Sequence, residues 1–236
     1  RHYIKQYEEE SNVRVTFLAD ASASMNYKGT RAALSKFEYA STMAVALSML
    51  LTRQQDPVGL VLFDEKATTN VPPRATQAQV QLLAGMLQKC RPARKTELGS
   101  MLLALGDQFR RRNMIVIVSD LLTDLDALYQ GLDRLRFSGH EVLLMQVLDR
   151  DEIDLPFDGP TLFQDMEGDE ELFAEPRAFQ RSYRAAMDDF LNEVRKASGA
   201  RGYDHVRFLT DEPLADALSR FLHARLESGR LDRRGR

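Results

Sequence analysis

Two stretches of this chain, MIVIVS at 114–119 and VLLMQVL at 142–148, are apolar at nearly every position. A strand with one face in water alternates polar and apolar residues. A strand without a polar face must be covered on both sides, which is the situation in a mostly parallel sheet layered between helices. The remaining sequence supplies those helices. Strand-length apolar runs at 13–19, 58–63, 114–119, 142–148 and 206–210 alternate with segments of helical period at 35–53, 76–89, 98–111, 127–137, 178–198 and 213–226. KATTNVPPR at 66–74 reads as a short edge strand ended by Pro72 and Pro73, since proline cannot donate to a ladder. The predicted class is α/β, doubly wound. In such sheets ligands gather outside the carboxyl ends of the strands.

Composition narrows the function. The 236 residues are 44% hydrophobic, enough for a buried core, and charges cancel to a net -3, so no basic field predicts a nucleic-acid partner. One cysteine, Cys90, fits a reducing, cytoplasmic setting and behaves as a small apolar residue near a helix end. No window reaches the roughly 18 uninterrupted apolar residues of a membrane span. The chain opens at Arg1 rather than methionine, which leaves an anchor outside it open. The expected organisation is a polar leader at 1–12, one domain over 13–226 with an acidic insertion at about 151–175, and a basic tail at 227–236. That insertion holds ten acidic residues and neither Lys nor Arg, so the rest of the chain is net basic. Within it, TLFQDMEGDEELFA predicts a hairpin turning at Glu167-Gly168-Asp169. It serves either as a solvated edge or as a docking surface for a basic partner through Asp169, Glu170 and Glu171.

The chemistry concentrates in VRVTFLADASASM at 13–25, where the first strand ends on D-x-S-x-S: Asp20, Ser22 and Ser24. Alternating side chains let these three oxygens converge as the chain turns. Thr96 in KTELG stands in the loop before a helix, and Asp120 ends the buried run IVIVSD. Each has an ordinary use: Asp and Ser cap helices, Thr96 fits an N-cap, and Asp120 fits a turn. Three loops at one sheet edge, each offering oxygen, point instead to a hard divalent cation, Mg²⁺ or Mn²⁺, and away from zinc.

This pattern resembles the metal-ion-dependent adhesion site of von Willebrand factor A domains. SKFEYASTMAVALSMLLTRQQDPVGLVLFDE, PPR, the acidic hairpin and TDEPLADALSRFL further resemble the bacterial family called domain of unknown function 58, over nearly the whole chain. The resemblance implies a six-stranded Rossmann-like sheet with one antiparallel edge strand and a Mg²⁺ at its top. It implies direct ligation by the Ser22 and Ser24 hydroxyls, and direct or water-mediated ligation by Asp20 and Asp120. Thr96 would join or leave with ligand state. It also implies association with a MoxR-type AAA+ ATPase, in an adaptor or chaperone-like role. Three hydroxyls and at most two carboxylates leave such an ion short of negative charge, so an Asp or Glu of a partner protein can complete its shell. Lys28, in NYKG, stands near the rim where that partner would arrive.

Little in the sequence argues for an enzyme. The four histidines are scattered, no nucleophile pairs with a base, and no phosphate-cradling glycine loop occurs. DRDEID at 149–154 lacks the glycine and ligand spacing of an EF-hand. The alternative is a Mg²⁺-dependent phosphohydrolase of haloacid dehalogenase type, with Asp20 as nucleophile, Thr96 on phosphate, Lys95 as charge stabiliser and Asp120 with Asp124 on the metal. Such enzymes usually carry an acid two residues after the nucleophile, where this chain has Ser22.

Overall fold

The computed structural model describes residues 13–106, 109, 111–166, 168 and 170–227. In chain order the first half contains β1 (Val15–Asp20), a 3-10 turn (Ala23–Asn26), α1 (Lys36–Arg53), β2 (Val58–Phe63), β3 (Ala67–Arg74), α2 (Gln77–Lys89), α3 (Leu98–Gly106) and β4 (Met114–Ser119). The second half contains α4 (Leu125–Phe137), β5 (Glu141–Leu148), α5 (Arg150–Asp154), β6 (Thr161–Gln164), β7 (Glu171–Ala174), α6 (Pro176–Arg201), β8 (Asp204–Leu209) and α7 (Leu214–Glu227). Six strands form one sheet in the order β3-β2-β1-β4-β5-β8, parallel throughout except for β3 at one edge. This is the doubly wound, mostly parallel six-stranded arrangement with one antiparallel edge strand that the sequence predicts.

The apolar strands are covered on both faces. Phe17, Leu60, Leu62, Val116, Val118 and Met145 pack on one side against Phe37, Met43 and Leu47 of α1, Leu83 of α2 and Phe221 of α7. Their neighbours in sequence, Leu18, Val61, Ile115, Ile117 and Leu144, pack on the other against Leu102 of α3, Leu128 and Leu132 of α4 and Val194 of α6. Burying an apolar side chain contributes roughly 1.5–3 kcal/mol, so these two layers dominate the fold's stability.

Helix ends follow local chemistry. Ser35 and Glu38 form a capping box at α1, and Thr76 and Asp124 cap α2 and α4. Pro176 opens α6, and Gly202 closes it in the left-handed conformation. Several element ends shift by one to three residues from expectation, and two boundaries depart in other ways. The helix predicted over 98–111 is described from Leu98 to Gly106, residues 107, 108 and 110 lying outside the described set. The edge strand β3 runs through both prolines to Arg74 instead of ending at them. Pairing shifts from Val58↔Arg74 to Leu60↔Val71, so Pro72 and Pro73 occupy a bulge opposite Gly59, where missing donors cost nothing.

The acidic insertion divides in two. Its first acids belong to α5 and its flank, and only the second part is the hairpin, β6 against β7 in a sheet of their own. Phe163 anchors the hairpin edge-on to Phe157 and Phe179. The leader at 1–12 and tail residues 228–236 lie outside the described residues.

Candidate functional site

Because β1 and β4 are parallel neighbours in register, Ala19 opposite Val118, their carboxyl ends open on the same edge. Asp20 ends β1 and Asp120 follows β4, and three hydroxyls bridge them. Ser119 Oγ donates to Asp20 Oδ2 at 2.6 Å, Ser22 Oγ and Ser24 Oγ lie 3.1 Å apart, and Ser24 Oγ donates to Asp120 Oδ2 at 2.9 Å. The remaining carboxylate oxygens are held by backbone: Ser22 N–H donates to Asp20 Oδ1 and Leu122 N–H to Asp120 Oδ1. Leu121 between these turns takes φ 60°, an uncommon conformation for leucine, and buries its side chain.

The ordinary uses of these residues fail at two positions. Ser22 stands at the N-cap of the 3-10 turn, yet its side chain caps nothing. Thr96 Oγ1 is buried with no hydrogen-bond partner among the described residues, so it does not cap α3. An orphaned hydroxyl of this kind costs about 1–3 kcal/mol unless something else bonds it. The loop that carries Thr96 is stapled to the turn after β1: Ala93 N–H donates to Ala21 O and Ala23 N–H to Arg94 O, both at 2.9 Å. Asp120 keeps its turn role through one oxygen only.

Burial raises the electrostatic stakes. Asp20, Ser22 and Asp120 are at most 1% exposed, while Ser24 and Thr96 are partly exposed, although the Thr96 hydroxyl itself is buried. Burial first, and the adjacent Asp120 second, push the Asp20 carboxyl up to about 7, outweighing the hydrogen bonds from Ser119 and Ser22. Among the described residues no group of three or more His, Cys, Asp or Glu side chains is arranged to hold a metal ion. This cluster offers a different donor set, two carboxylates with hydroxyls, all hard oxygen. Together with the unpartnered Thr96 hydroxyl, that set fits Mg²⁺ or Mn²⁺ better than a softer ion.

The other predicted residues scatter around this edge. Lys28 is exposed on the loop after the 3-10 turn, and Lys95 is exposed beside Thr96. Asp124 is spent capping α4, its Oδ1 accepting from Ala127 N–H at 2.8 Å. Glu170 and Glu171 are exposed on the hairpin, Glu171 accepting from Gln164 across the strands; Asp169 lies outside the described residues. A Cβ on Gly168 at the hairpin tip would stand 3.8 Å from Lys95 Nζ, so the tip neighbours the loop carrying Thr96.

A family model described as "Protein of unknown function DUF58" matches residues 1–196. The chain belongs to the DUF58 family. Uncharacterized proteins of Mycobacterium tuberculosis and Mycobacterium bovis are each 27% identical to it over 229 residues, covering 94% of this chain and 70% of theirs. Among solved structures, the conserved hypothetical protein BatB from Bacteroides thetaiotaomicron superposes with a TM-score of 0.56 at 16% identity, over 89% of this chain and 99% of that one. An aerotolerance-related membrane protein from Bacteroides fragilis gives 0.58 at 16% identity, over 88% and 96%. At these identities the likeness is one of fold.

Sequence reading of this DUF58 chain missed several residues around the cluster. Lys36, the first residue of α1, is wholly buried and places Nζ 2.8 Å from Asp120 Oδ2 and 2.5 Å from Glu152 Oε1. Burial alone would lower its ammonium, but Asp120 and Glu152 outweigh that and hold it above the ordinary lysine value. Gln146 Nε2 donates to the Asp120 carbonyl at 3.1 Å, with His205 Nε2 the same distance from Gln146 Oε1. Asp149 and Asp151 clamp the loop after the 3-10 turn by accepting from Gly29 and Thr30 N–H, and Arg31 pairs with Asp151 and Asp154. DRDEID is therefore a capped helical turn whose acids are mostly committed inside the molecule. Only the capping-box spacing, Asp149 to Glu152, was available in the sequence to signal it.

Proposed function

We propose that this DUF58 domain is a protein-interaction module that recognises an acidic side chain of a partner through a divalent cation, Mg²⁺ or Mn²⁺, rather than an enzyme. The observation that carries the reading is the Asp20–Ser22–Ser24–Asp120 cluster, together with a buried Thr96 hydroxyl, on a loop stapled to the same turn, that has no partner among the described residues. Asp20, Ser22, Ser24, Thr96 and Asp120 would hold the ion. When bound, it supplies a positive charge that the two carboxylates and the hydroxyls leave incompletely neutralised. The chain's own residues do the rest: Ser119 and the Ser22 and Leu122 amides fix the carboxylates, while partly exposed Ser24 stands on the side from which a partner's Asp or Glu would enter.

By family resemblance the partner is a MoxR-type AAA+ ATPase, with this domain as its adaptor or chaperone-like companion. The hairpin offers a second contact. Leu162 and Phe173, a cross-strand pair, are 51% and 72% exposed on the same face as Glu171, Leu172 is exposed on the other face, and Met166 and Glu170 are exposed near the turn. An acidic surface studded with apolar side chains fits a basic, partly apolar partner face.

Calorimetric titration with MgCl₂ tests the metal reading directly. The wild type binds, Ser22→Ala does not, and Mg²⁺ at a hundred times its Kd stabilises the fold by about 2.7 kcal/mol. For a chain of this size that is a rise in melting temperature of roughly 5–10 °C. Binding unaffected by Ser22→Ala, or no binding at millimolar Mg²⁺ and Mn²⁺, rejects the site. Phosphatase turnover abolished by Asp20→Asn would instead establish the phosphohydrolase alternative.

A further inference from the structure

Lys36 is costly where it stands. Lysine is almost never fully buried, and a cation at the first position of a helix opposes the helix dipole. Yet Lys36 opens α1 with a fully buried side chain, and its charge is matched from far away in sequence, by Asp120 after β4 and by Glu152 on α5. Local rules broken without a local gain concentrate at functional sites.

Its position explains the expense. Nζ bonds Asp120 Oδ2, the same oxygen that accepts from Ser24 Oγ. A cation held by Ser24 and Asp120 would therefore sit one carboxylate away from a fixed positive charge. Glu152 is fixed in turn, its Oε2 accepting from Asp149 N–H in the α5 capping box and its carbonyl from Tyr183 of α6. The second carboxylate thus draws Lys36 partly off the first, and it does so from a rigid position.

We infer that Lys36 is a resident cation of the site, holding Asp120 when no metal is present and competing with the metal for that carboxylate, with Glu152 setting the strength of the competition. This rests on the metal reading above and adds its regulation: affinity is held low by design, and anything that pulls Glu152 from Lys36, such as movement of α5 against α6, lowers it further. Lys36 is a positioning residue that need not touch the partner.

The proposal predicts opposite signs for two substitutions. Lys36→Met keeps the bulk and removes the charge, so Mg²⁺ binds about tenfold more tightly or better, because one like-charge repulsion in a poorly screened interior is gone. The metal-free protein melts lower, having lost the counter-charge for Asp120, and recovers more on adding Mg²⁺ than the wild type does. Glu152→Gln leaves Lys36 wholly on Asp120 and weakens Mg²⁺ binding several-fold. Titrations of the three proteins with MgCl₂ and MnCl₂, alongside melting curves in chelator, decide the matter. If Lys36 merely braced Asp120, Lys36→Met would weaken binding or leave it unchanged; either result overturns the inference while leaving the metal reading intact. Should Lys36→Met fail to fold, Glu152→Gln decides alone, with equal or tighter binding counting against the proposal. If no protein binds either ion, the metal reading falls and takes this inference with it. Binding by Lys36→Met alone rejects a metal in the wild type and overturns the regulatory role inferred here along with it.

Discussion

With its carboxyl pushed up to about 7, Asp20 is a group whose protonated form the fold prefers, and this makes stability depend on pH in a defined direction. An unfolded aspartate titrates near 3.9, so between about pH 4 and pH 7 the folded chain carries a proton that the unfolded chain has released. Stability from this group is complete below that window and declines as pH rises through it, by at most about 1.4 kcal/mol per unit. Metal-free protein should therefore melt lower at pH 8 than at pH 5.5, and Asp20→Asn, which has no proton to lose, should flatten that difference. Melting curves in chelator across this range check it, and an equal slope in both proteins would contradict the assignment. Metal binding needs the ionised form, so the stabilisation by Mg²⁺ should grow over the same interval.

At the scale of elements, the site depends on how closely α3 and α4 approach, because α3 follows Thr96 and α4 follows Asp120. Two glycines make that approach possible. A Cβ on Gly99 would stand 2.5 Å from the Ala127 backbone carbon, and one on Gly131 would stand 2.7 Å from Leu102 Cβ. Backbone cannot yield as a side chain tip can, so Gly99→Ala should cost roughly 2–4 kcal/mol in denaturant unfolding and, by pushing α3 outward, weaken Mg²⁺ binding. Wild-type stability in this variant would show that the helices are loosely packed. The glycines are not legible as contacts in the sequence, whereas the helices themselves are, because 3.6-residue periodicity is local information. The same contrast runs through the site. Asp20, Ser22 and Ser24 announce themselves by spacing at the end of an apolar run. Ser119 reads as an ordinary strand residue, although its hydroxyl fixes Asp20. Lys36 reads as a surface charge in a capping sequence, since its partners lie 84 and 116 residues away. The two prolines of β3 mislead for a related reason: their tolerance depends on a bulge and an edge, which only the assembled sheet defines.

For the whole molecule, the question is whether the Asp20–Asp120 edge and the hairpin serve one partner. The hairpin tip at Gly168 neighbours Lys95, next to Thr96, so a protein seated on the hairpin also meets the loop that carries Thr96. A hairpin whose acids served only solubility would have no use for exposed Leu162, Leu172 and Phe173 on so short a sheet. The acids earlier in the insertion are already committed, Asp151 and Asp154 to Arg31, Glu152 to Lys36 and Asp158 to Arg177. Free acidic charge is thereby concentrated toward the hairpin end, where Glu170 and Glu171 are exposed. Reversing both to lysine should leave Mg²⁺ titration and melting temperature within error of the wild type, since neither side chain is buried. Capture of the proposed MoxR-type ATPase partner in Mg²⁺ should fall about tenfold at low salt and lose most of its salt dependence, because contacts between exposed charges are screened within about 10 Å at 0.1 M. Ser22→Ala should remove capture at every salt concentration. If charge reversal leaves capture and its salt dependence unchanged while Ser22→Ala abolishes it, the cluster recognises the partner alone and the hairpin is a solubilising edge.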